Sequence, residues 1–240
     1  MTDHTSPQNV VTGVFRAIAG KLSGEMQWLA GFGLLVLGLF GFASIADEVM
    51  EGETHALDLQ ILKALRTPND LSDPIGPPWL EASVSDITAL GGYTLLTLFL
   101  LGVTLYLLAT KRSRHALIIL GAVISGAALS ALLKLGFDRP RPDLVEHLTY
   151  ATSSSFPSGH ATLSAIAYLT MGMLLAHAHK RRRIKVLSIA GACLITMLVG
   201  LSRIYLGVHW PTDVLAGWCV GAAWAALWWL LAMRYLESDD

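Results

Sequence analysis

Six long apolar stretches, separated by polar segments, run along this chain. They cover residues 27–46, 88–110, 116–135, 161–178, 186–201 and 214–236. Each comes close to or exceeds the roughly 20 residues that a helix needs to cross a lipid bilayer. Because hydrocarbon offers no partner to backbone N–H and C=O groups, the pattern predicts an all-α bundle of six transmembrane helices. The fifth stretch is the shortest, and we expect its helix to continue through Ser202 and Arg203.

The polar segments define the organisation around this bundle. The first loop on the outer side, residues 47–81, is long and acidic, and its residues 56–66 carry leucines and an isoleucine at helical spacing. This spacing predicts a short amphipathic helix, lying either in the membrane interface or on the outer ends of the bundle. We expect one membrane domain, residues 27–236, between a cytoplasmic N-terminal segment, residues 1–26, and a cytoplasmic tail, residues 237–240.

Composition and charge add the class of protein and its orientation. The chain is 53% hydrophobic and only 15% charged, which is typical of an integral membrane protein. If the six helices alternate, eleven of the 17 lysines and arginines fall on the side of the termini, which the positive-inside rule places in the cytoplasm. The basic run Lys180 to Arg183 is therefore interpreted as a topology signal and headgroup anchor, and no nucleic-acid partner is expected.

A first pair of cations stands at the predicted outer end of the third stretch. Lys134 closes that stretch, and Arg141 follows between Pro140 and Pro142. A lysine at the end of a span often only reaches toward the interface. The two prolines fix the local φ angle, so Arg141 has little conformational freedom to lose on binding. Alone, the pair is as compatible with a surface charge as with an anion site.

A second segment, Pro157-Ser158-Gly159-His160, opens the fourth stretch. Proline and serine are common at helix starts without any function. Gly159, however, leaves room for a ligand near the backbone, and the free N–H groups of a helix N-terminus bind anions. His160 then lies in the first turn, facing such an anion. A hydrogen-bonded polar cap is the alternative interpretation of this histidine.

A third segment joins the last two stretches. Ser202 and Arg203 end the fifth, and His209 and Asp213 begin the sixth. Pro211 suits the first turn of a helix, which puts His209 and Asp213 about one turn apart on the same side. An aspartate beside a histidine fixes the imidazole tautomer and stabilises its cation. Because a carboxylate near the end of a span is costly without a partner, the pattern favours a functional pair.

Together, the three segments resemble the signature of the type 2 phosphatidic acid phosphatase superfamily of integral membrane lipid phosphatases. That signature is Lys, six residues, Arg-Pro; then Pro-Ser-Gly-His; then Ser-Arg, five residues, His, three residues, Asp. Every fixed position is matched, by Lys134, Arg141, Pro142, Pro157, Ser158, Gly159, His160, Ser202, Arg203, His209 and Asp213.

The resemblance implies a role for each chemical group. His209 would be the nucleophile, Asp213 would orient it, and His160 would be the general acid that protonates the leaving oxygen. The phosphate would be held by Lys134, Arg141, Ser158, the Gly159 backbone N–H and Arg203. No metal and no cofactor are expected, because these cations replace the metal ion of many other phosphatases. Since His209 must be neutral and His160 charged, a bell-shaped pH–rate profile is predicted.

The implied function is hydrolysis of a lipid phosphate monoester or diphosphate through a phosphohistidine, at the periplasmic face of a bacterial inner membrane. Undecaprenyl diphosphate, phosphatidylglycerophosphate and phosphatidate are the candidate substrates. Two alternatives stay open, a lipid phosphotransferase that uses the same histidine and a lipid transporter or binding protein without turnover. Soluble haloperoxidases share similar vanadate-binding motifs, but six apolar stretches argue against that class. No oligomeric state follows from the sequence.

Overall fold

The structure, a computed structural model, describes residues 7–143 and 154–236. Within these residues it contains eight helices and one two-stranded antiparallel sheet. The helices are α1 (Pro7–Glu51), α2 (His55–Ala64), α3 (Pro78–Ala89), α4 (Tyr93–Ala109), α5 (Ser113–Gly136), α6 (Gly159–Ala178), α7 (Arg182–Tyr205) and α8 (Pro211–Leu236). The strands are β1 (Arg66–Thr67) and β2 (Asp70–Pro74).

Five helices of the described chain are long and apolar enough to cross a membrane by themselves: Gly24–Glu51 of α1, and the whole of α5, α6, α7 and α8. A further candidate span is the pair α3 and α4, which meet at a bend of 50°. The predicted helical bundle is therefore confirmed, with five candidate spans, or six if the bent pair is counted as one. The fifth predicted helix does continue through Ser202 and Arg203, because α7 ends at Tyr205.

The second predicted span differs most from expectation. The sequence pattern predicts one helix over residues 88–110, but in the structure α4 covers only Tyr93–Ala109. Residues 88 and 89 are the end of a separate helix, α3, which begins at Pro78 within the predicted loop. A Cβ atom on Gly91 would lie 2.4 Å from Cγ1 of Val199 in α7, so only glycine fits between the two helices at this point. The close approach of α7 to the residues between α3 and α4 is a contact between distant segments, which a hydropathy pattern does not record.

The predicted N-terminal boundary of the membrane domain, between residues 26 and 27, stays a prediction. Helix α1 already begins at Pro7, so the expected division between residues 26 and 27 falls inside one continuous helix. Residues 1–6 and the predicted cytoplasmic tail, residues 237–240, lie outside the described part of the chain.

Helices α6 and α8 form the centre of the bundle, and α1 packs against α8. Residues 161–168 of α6 are all buried. Small residues let the two central helices approach closely: a Cβ atom on Gly221 would lie 2.8 Å from the Thr162 carbonyl oxygen. Such close backbone contacts through small residues are typical of helix pairs within membranes. They hold the start of α6 and the start of α8 side by side.

A helix is present where the pattern of residues 56–66 predicted one: it is α2, and the hairpin of β1 and β2 follows it. Its buried face carries Asp58 and Leu62, one helical turn apart. Leu62 packs with Trp210 and Val214 at the start of α8, whereas Leu57 and Ile61 are exposed. Helix α2 therefore lies on the end of the bundle where α8 begins.

Candidate active site

His209 and Asp213 form a buried pair where α8 begins. His209 is 2% exposed and Asp213 is fully buried. The imidazole Nδ1 lies 3.3 Å from Asp213 Oδ2. Because a carboxylate can only accept, Nδ1 carries the proton and Nε2 keeps its lone pair. Pro211 is the first residue of α8, as the sequence predicted, and this start of the helix places the two side chains on one side.

Other donors hold the Asp213 carboxylate in place. The Trp210 backbone N–H donates to Oδ2 at 2.9 Å, and the Ser155 hydroxyl makes a short hydrogen bond to the same oxygen. Ser155 is itself positioned by its neighbour Phe156, which is fully buried and packs against Phe137 with ring centroids 4.7 Å apart. The carboxylate is thus fixed by several elements before any ligand binds.

The protonation state of His209 follows from its surroundings. Burial lowers the pKa of His209 from 6.5 to about 4, while the hydrogen bond and charge of Asp213 oppose this shift. The positive charges of Arg141 and Arg203 lower this pKa further. His209 is therefore neutral at pH 7, and its Nε2 lone pair lies 3.3 Å from Nη1 of Arg141.

Three cations gather around this histidine. Lys134 Nζ donates to the Ser154 carbonyl at 2.9 Å, Arg141 Nη1 to the Val208 carbonyl at 3.0 Å, and Arg203 Nη1 to Thr88 Oγ1 at 3.0 Å. The three side chains also interact electrostatically with one another. Like charges held this close repel, so the cluster is stabilised when an anion binds between them.

Several polar atoms of this cluster are buried without a partner among the described residues. They are Nε of Arg141, Nε of Arg203 and the hydroxyl of Ser158. A buried donor with no acceptor costs free energy, about 1–3 kcal/mol for a neutral group and more for a charged one. The same donors would all be satisfied by a tetrahedral oxyanion such as phosphate.

The start of α6 completes the cluster. Ser158 occupies the N-cap position, yet its side chain makes no capping hydrogen bond. A Cβ atom on Gly159 would lie 3.5 Å from Lys134 Cε, so this glycine faces the lysine across van der Waals distance. His160 interacts electrostatically with Lys134, Arg141, Arg203 and His209. The structure therefore brings together all eight residues that the sequence singled out for binding and catalysis.

The structure also reveals residues that the sequence analysis missed. Arg139 contacts Asp213, and Asp58 of α2 contacts Arg139, each at 2.6 Å. A signal for Asp58 was present, because it lies four residues before Leu62 and so on the face of α2 that packs. Arg139 stands in the same proline-rich run as Arg141, but nothing in that run distinguishes the two arginines.

Two glycines were also missed, at the break between α3 and α4. A Cβ atom on Gly91 would lie 3.3 Å from the Cβ and Cδ2 atoms of His160, and one on Gly92 would lie 3.8 Å from its Nε2. The break thus forms a wall of the site beside the imidazole of His160.

Two other histidines of the described chain pack against tryptophan rings. The ring of His177 packs on Trp229, and the ring of His55 packs on Trp210. His147, which the sequence analysis did not assign to any site, lies outside the described residues. Within the described ranges, no group of three or more His, Cys, Asp or Glu side chains is arranged to hold a metal ion.

Comparison with known proteins identifies relatives of this chain. The sequence model of the PAP2 superfamily matches residues 115–236. Phosphatidylglycerophosphatase B of Bacillus subtilis is 33% identical over 148 residues, which are 61% of this chain and 72% of that protein. An undecaprenyl-diphosphatase of Sulfolobus acidocaldarius is 33% identical over 126 residues, which are 50% of this chain and 57% of that protein.

A solved structure has the same fold. The crystal structure of a transmembrane PAP2 type phosphatidylglycerolphosphate phosphatase from Bacillus subtilis aligns with a TM-score of 0.70 at 27% identity. The alignment covers 88% of this chain and 97% of the other. The chain is a multi-pass membrane protein and belongs to the PAP2 superfamily, which confirms the family that its motifs predicted.

Proposed function

We propose that this protein is a membrane lipid phosphatase that hydrolyses a lipid phosphate monoester or diphosphate through a phosphohistidine at His209. The observation that carries the proposal is the set of buried donors, unpaired among the described residues, on Arg141, Arg203 and Ser158 around a neutral His209. The names of the relatives, a phosphatidylglycerophosphatase and an undecaprenyl-diphosphatase, support the same class of substrate.

The first chemical step transfers the phosphoryl group to the enzyme. The Nε2 lone pair of His209 attacks phosphorus, and the bond from phosphorus to the lipid oxygen breaks. His160 donates its proton to that oxygen, so the lipid leaves as an alcohol, or as a lipid monophosphate if the substrate is a diphosphate. Asp213, which accepts the hydrogen bond from Nδ1, stabilises the positive charge that develops on the imidazole.

The second step returns the enzyme to its starting state. Water attacks the phosphohistidine, and His160, now neutral, accepts a proton from that water. The bond from phosphorus to Nε2 breaks, its electrons return to the ring, and inorganic phosphate leaves. Throughout, Lys134, Arg141 and Arg203 stabilise the charge on the phosphoryl oxygens, the main requirement of phosphoryl transfer. Positioning by these groups replaces the role that a metal ion has in other phosphatases.

We also propose that the protein crosses a bacterial inner membrane six times, with α3 and α4 as one bent span. The C-terminal ends of α5 and α7 and the N-terminal ends of α6 and α8 carry the site, so it lies at one end of the bundle. The basic segments around residues 111–114 and 180–185 stand at the opposite ends of those helices. The positive-inside rule then favours cytoplasmic termini, an active site facing the periplasm, and α2 at the outer interface.

Release of phosphate from a panel of lipids tests the function. We expect the purified protein in detergent to release inorganic phosphate from at least one of phosphatidylglycerophosphate, undecaprenyl diphosphate and phosphatidate, with full activity in the presence of a chelator. Phosphorylated acceptor lipid in place of free phosphate would identify a phosphotransferase instead. Loss of activity in chelator would contradict the mechanism with histidine and cations alone.

The pH profile is expected to show the low pKa of His209. Because this pKa lies at about 4, the histidine binds a proton only below that pH, and kcat/KM should persist from neutral pH down to about pH 5. With the anionic substrate phosphate bound beside it, His160 holds a proton, and loss of this proton is expected to form the high-pH limb of kcat. The measurement is kcat/KM against pH, compared with the titration of the substrate phosphate followed by 31P NMR. An acid limb at about pH 6.5, independent of the substrate, would place an ordinary histidine at this position.

A further inference from the structure

A chain of buried charges connects α2 to the His209–Asp213 pair. Arg139 Nη1 donates to Asp213 Oδ1 at 2.6 Å, and its Nη2 donates to Asp58 Oδ2 at 2.6 Å. The side chain of Arg139 is 12% exposed, and both carboxylates are fully buried. One guanidinium thus bridges two carboxylates that belong to helices far apart in the sequence. Its planar fork of N–H groups suits such a bridge, which a lysine could make only as a point charge.

Thr212 closes this chain into a ring. Its hydroxyl donates to Asp58 Oδ2 at 2.6 Å and accepts from Arg139 Nη1 at 2.8 Å. The Thr212 backbone N–H donates to the other oxygen of Asp58 at 3.0 Å. Asp58 therefore satisfies an N–H group in the first turn of α8, a position normally capped from within the chain just before the helix. The start of α8, which carries Asp213, is fastened to α2.

The two carboxylate oxygens of Asp213 accept hydrogen bonds from different partners. Oδ1 accepts from Arg139, whereas Oδ2 accepts from His209, Ser155 and Trp210. The hydrogen bond from Arg139 to Oδ1 adds to the three at Oδ2, and together they fix the rotation of the carboxylate with Oδ2 turned toward His209. Without Arg139, only the bonds at Oδ2 would restrain a side-chain torsion that is otherwise broad.

The charges within the ring do not cancel. Two buried carboxylates share one guanidinium, which leaves about one negative charge beside His209. Because Arg139 is also paired with Asp58, its positive charge neutralises Asp213 only in part. Asp213 therefore keeps negative charge with which it can stabilise a positive imidazole. The other charged or titratable groups around the pair are Arg203 from α7, His160 from α6, Lys134 from α5 and Arg141 from the loop after α5.

We propose that Asp58 and Arg139 are positioning residues that act through Asp213 to set the orientation and basicity of His209. The inference rests on the proposed phosphatase function and adds a role for the first outer loop. The reactive histidine is fully competent only when α2 is docked on the start of α8. Helix α2 is thus part of the catalytic assembly as well as of the surface near the membrane.

Two neutral variants separate this role from ordinary structural support. Arg139→Gln removes the positive charge beside Asp213, and the more negative carboxylate should move the acid limb of kcat/KM upward by roughly one pH unit. Asp58→Asn leaves the whole Arg139 charge on Asp213, and its acid limb should stay at or below that of the wild type. If the substitutions only loosened the packing, His209 would become more exposed, and the acid limb of kcat/KM would move to higher pH in both variants alike.

The rates should change in kcat more than in KM. Partners that act through another residue typically contribute roughly 10–100-fold, and we expect kcat to fall by that factor in Arg139→Gln and by about 10-fold in Asp58→Asn. KM should stay within about threefold, because the phosphate-binding cations are untouched. Arg139→Lys keeps the charge without the fork and should recover part of kcat with an unshifted acid limb.

Matched controls lie nearby on the same outer segment. Lys63 on the exposed side of α2 and Asp70 in the hairpin are both exposed, so Lys63→Gln and Asp70→Asn should behave as the wild type. Thermal unfolding in detergent identifies any variant that fails to fold. Equal upward shifts in Arg139→Gln and Asp58→Asn, or wild-type kcat in both, would overturn the proposal.

The same measurements distinguish failure of the positioning role from failure of the proposed phosphatase function. If the wild type releases phosphate and the two variants do not differ as described, the phosphatase stands and the positioning role fails. If the wild type releases no phosphate from any lipid, the proposed function fails. Binding of inorganic orthovanadate, measured by calorimetry against pH, then shows whether the two variants change the titration of the site in the opposite senses expected.

Discussion

Substitution of His209 by Ala is expected to reduce phosphate release from the preferred lipid by roughly 10⁴-fold or more. The Nε2 atom of this residue is the nucleophile of the proposed reaction, and none of the surrounding donors can replace its lone pair. The three cations and Ser158 remain in the variant, so lipid binding should persist. The loss should therefore appear in kcat, with KM close to that of the wild type.

The covalent intermediate offers a direct readout of the same prediction. Lipid carrying a 32P-labelled phosphate should label the wild-type protein, and the label should survive alkali and be lost in acid, as expected of a phosphohistidine. His209→Ala should remain unlabelled. His179→Ala is the matched control, because His179 is exposed and only caps the last turn of α6 through the Leu175 carbonyl. Labelling of His209→Ala at wild-type level would assign the nucleophile to another residue.

Stereochemistry distinguishes this route from direct attack by water. A phosphohistidine route includes two in-line displacements at phosphorus, so a substrate with a chiral phosphoryl group should give product with retained configuration. Net inversion would mean a single displacement. His209 would then act on water as a general base, and its substitution would still abolish activity.

The membrane fold was predictable from the chain because its main signal is local. A stretch of about 20 apolar residues must be helical in hydrocarbon whatever its neighbours are. The 50° break between α3 and α4 was not predictable in this way. At this break Val199 of α7 lies against Gly91, a contact between residues more than one hundred positions apart that no local pattern shows. Likewise, the amphipathic pattern of residues 56–66 predicted a helix but left open where that helix packs.

The candidate site was predictable to a similar degree. Residues such as His209 and Asp213 are one turn apart, so their spacing alone suggests a pair. The residues that hold this pair in place could not be predicted from spacing, because Asp58 and Arg139 come from segments separate from that of Asp213. Arg139 looks like an ordinary charge in its own segment, and the place of Asp58 on the packing face of α2 does not indicate its partner. Only their burial in one place shows that the three charges must compensate one another.

Substitution of His160 by Ala is expected to have an effect that depends on the leaving group. A lipid alcohol leaves as a strong base unless it is protonated, so loss of the general acid should slow hydrolysis of a lipid monoester by roughly 10²–10⁴-fold. The p-nitrophenolate ion is stable at neutral pH and needs no proton. Hydrolysis of p-nitrophenyl phosphate should therefore fall by less than about 10-fold in the same variant.

The position of His160 makes this comparison informative. The residue lies between the cation cluster and the break at Gly91 and Gly92, so the test must distinguish loss of a proton donor from a disturbed phosphate site. Damage of that kind would slow both substrates equally, whereas loss of a proton donor affects only the poor leaving group. His177→Ala, at the other end of α6, is the control for the general effect of removing a histidine from this helix.

A lipid diphosphate should lie between the two extremes, because its leaving group is a phosphate monoester rather than an alkoxide. The limb of the pH profile at high pH should also disappear from p-nitrophenyl phosphate hydrolysis in His160→Ala, since the group that forms it has been removed. Equal losses on the ester and the nitrophenyl substrate, with that limb retained, would show that the proton comes from elsewhere. Lys134, the other proton-bearing group beside Gly159, would then be the donor to examine.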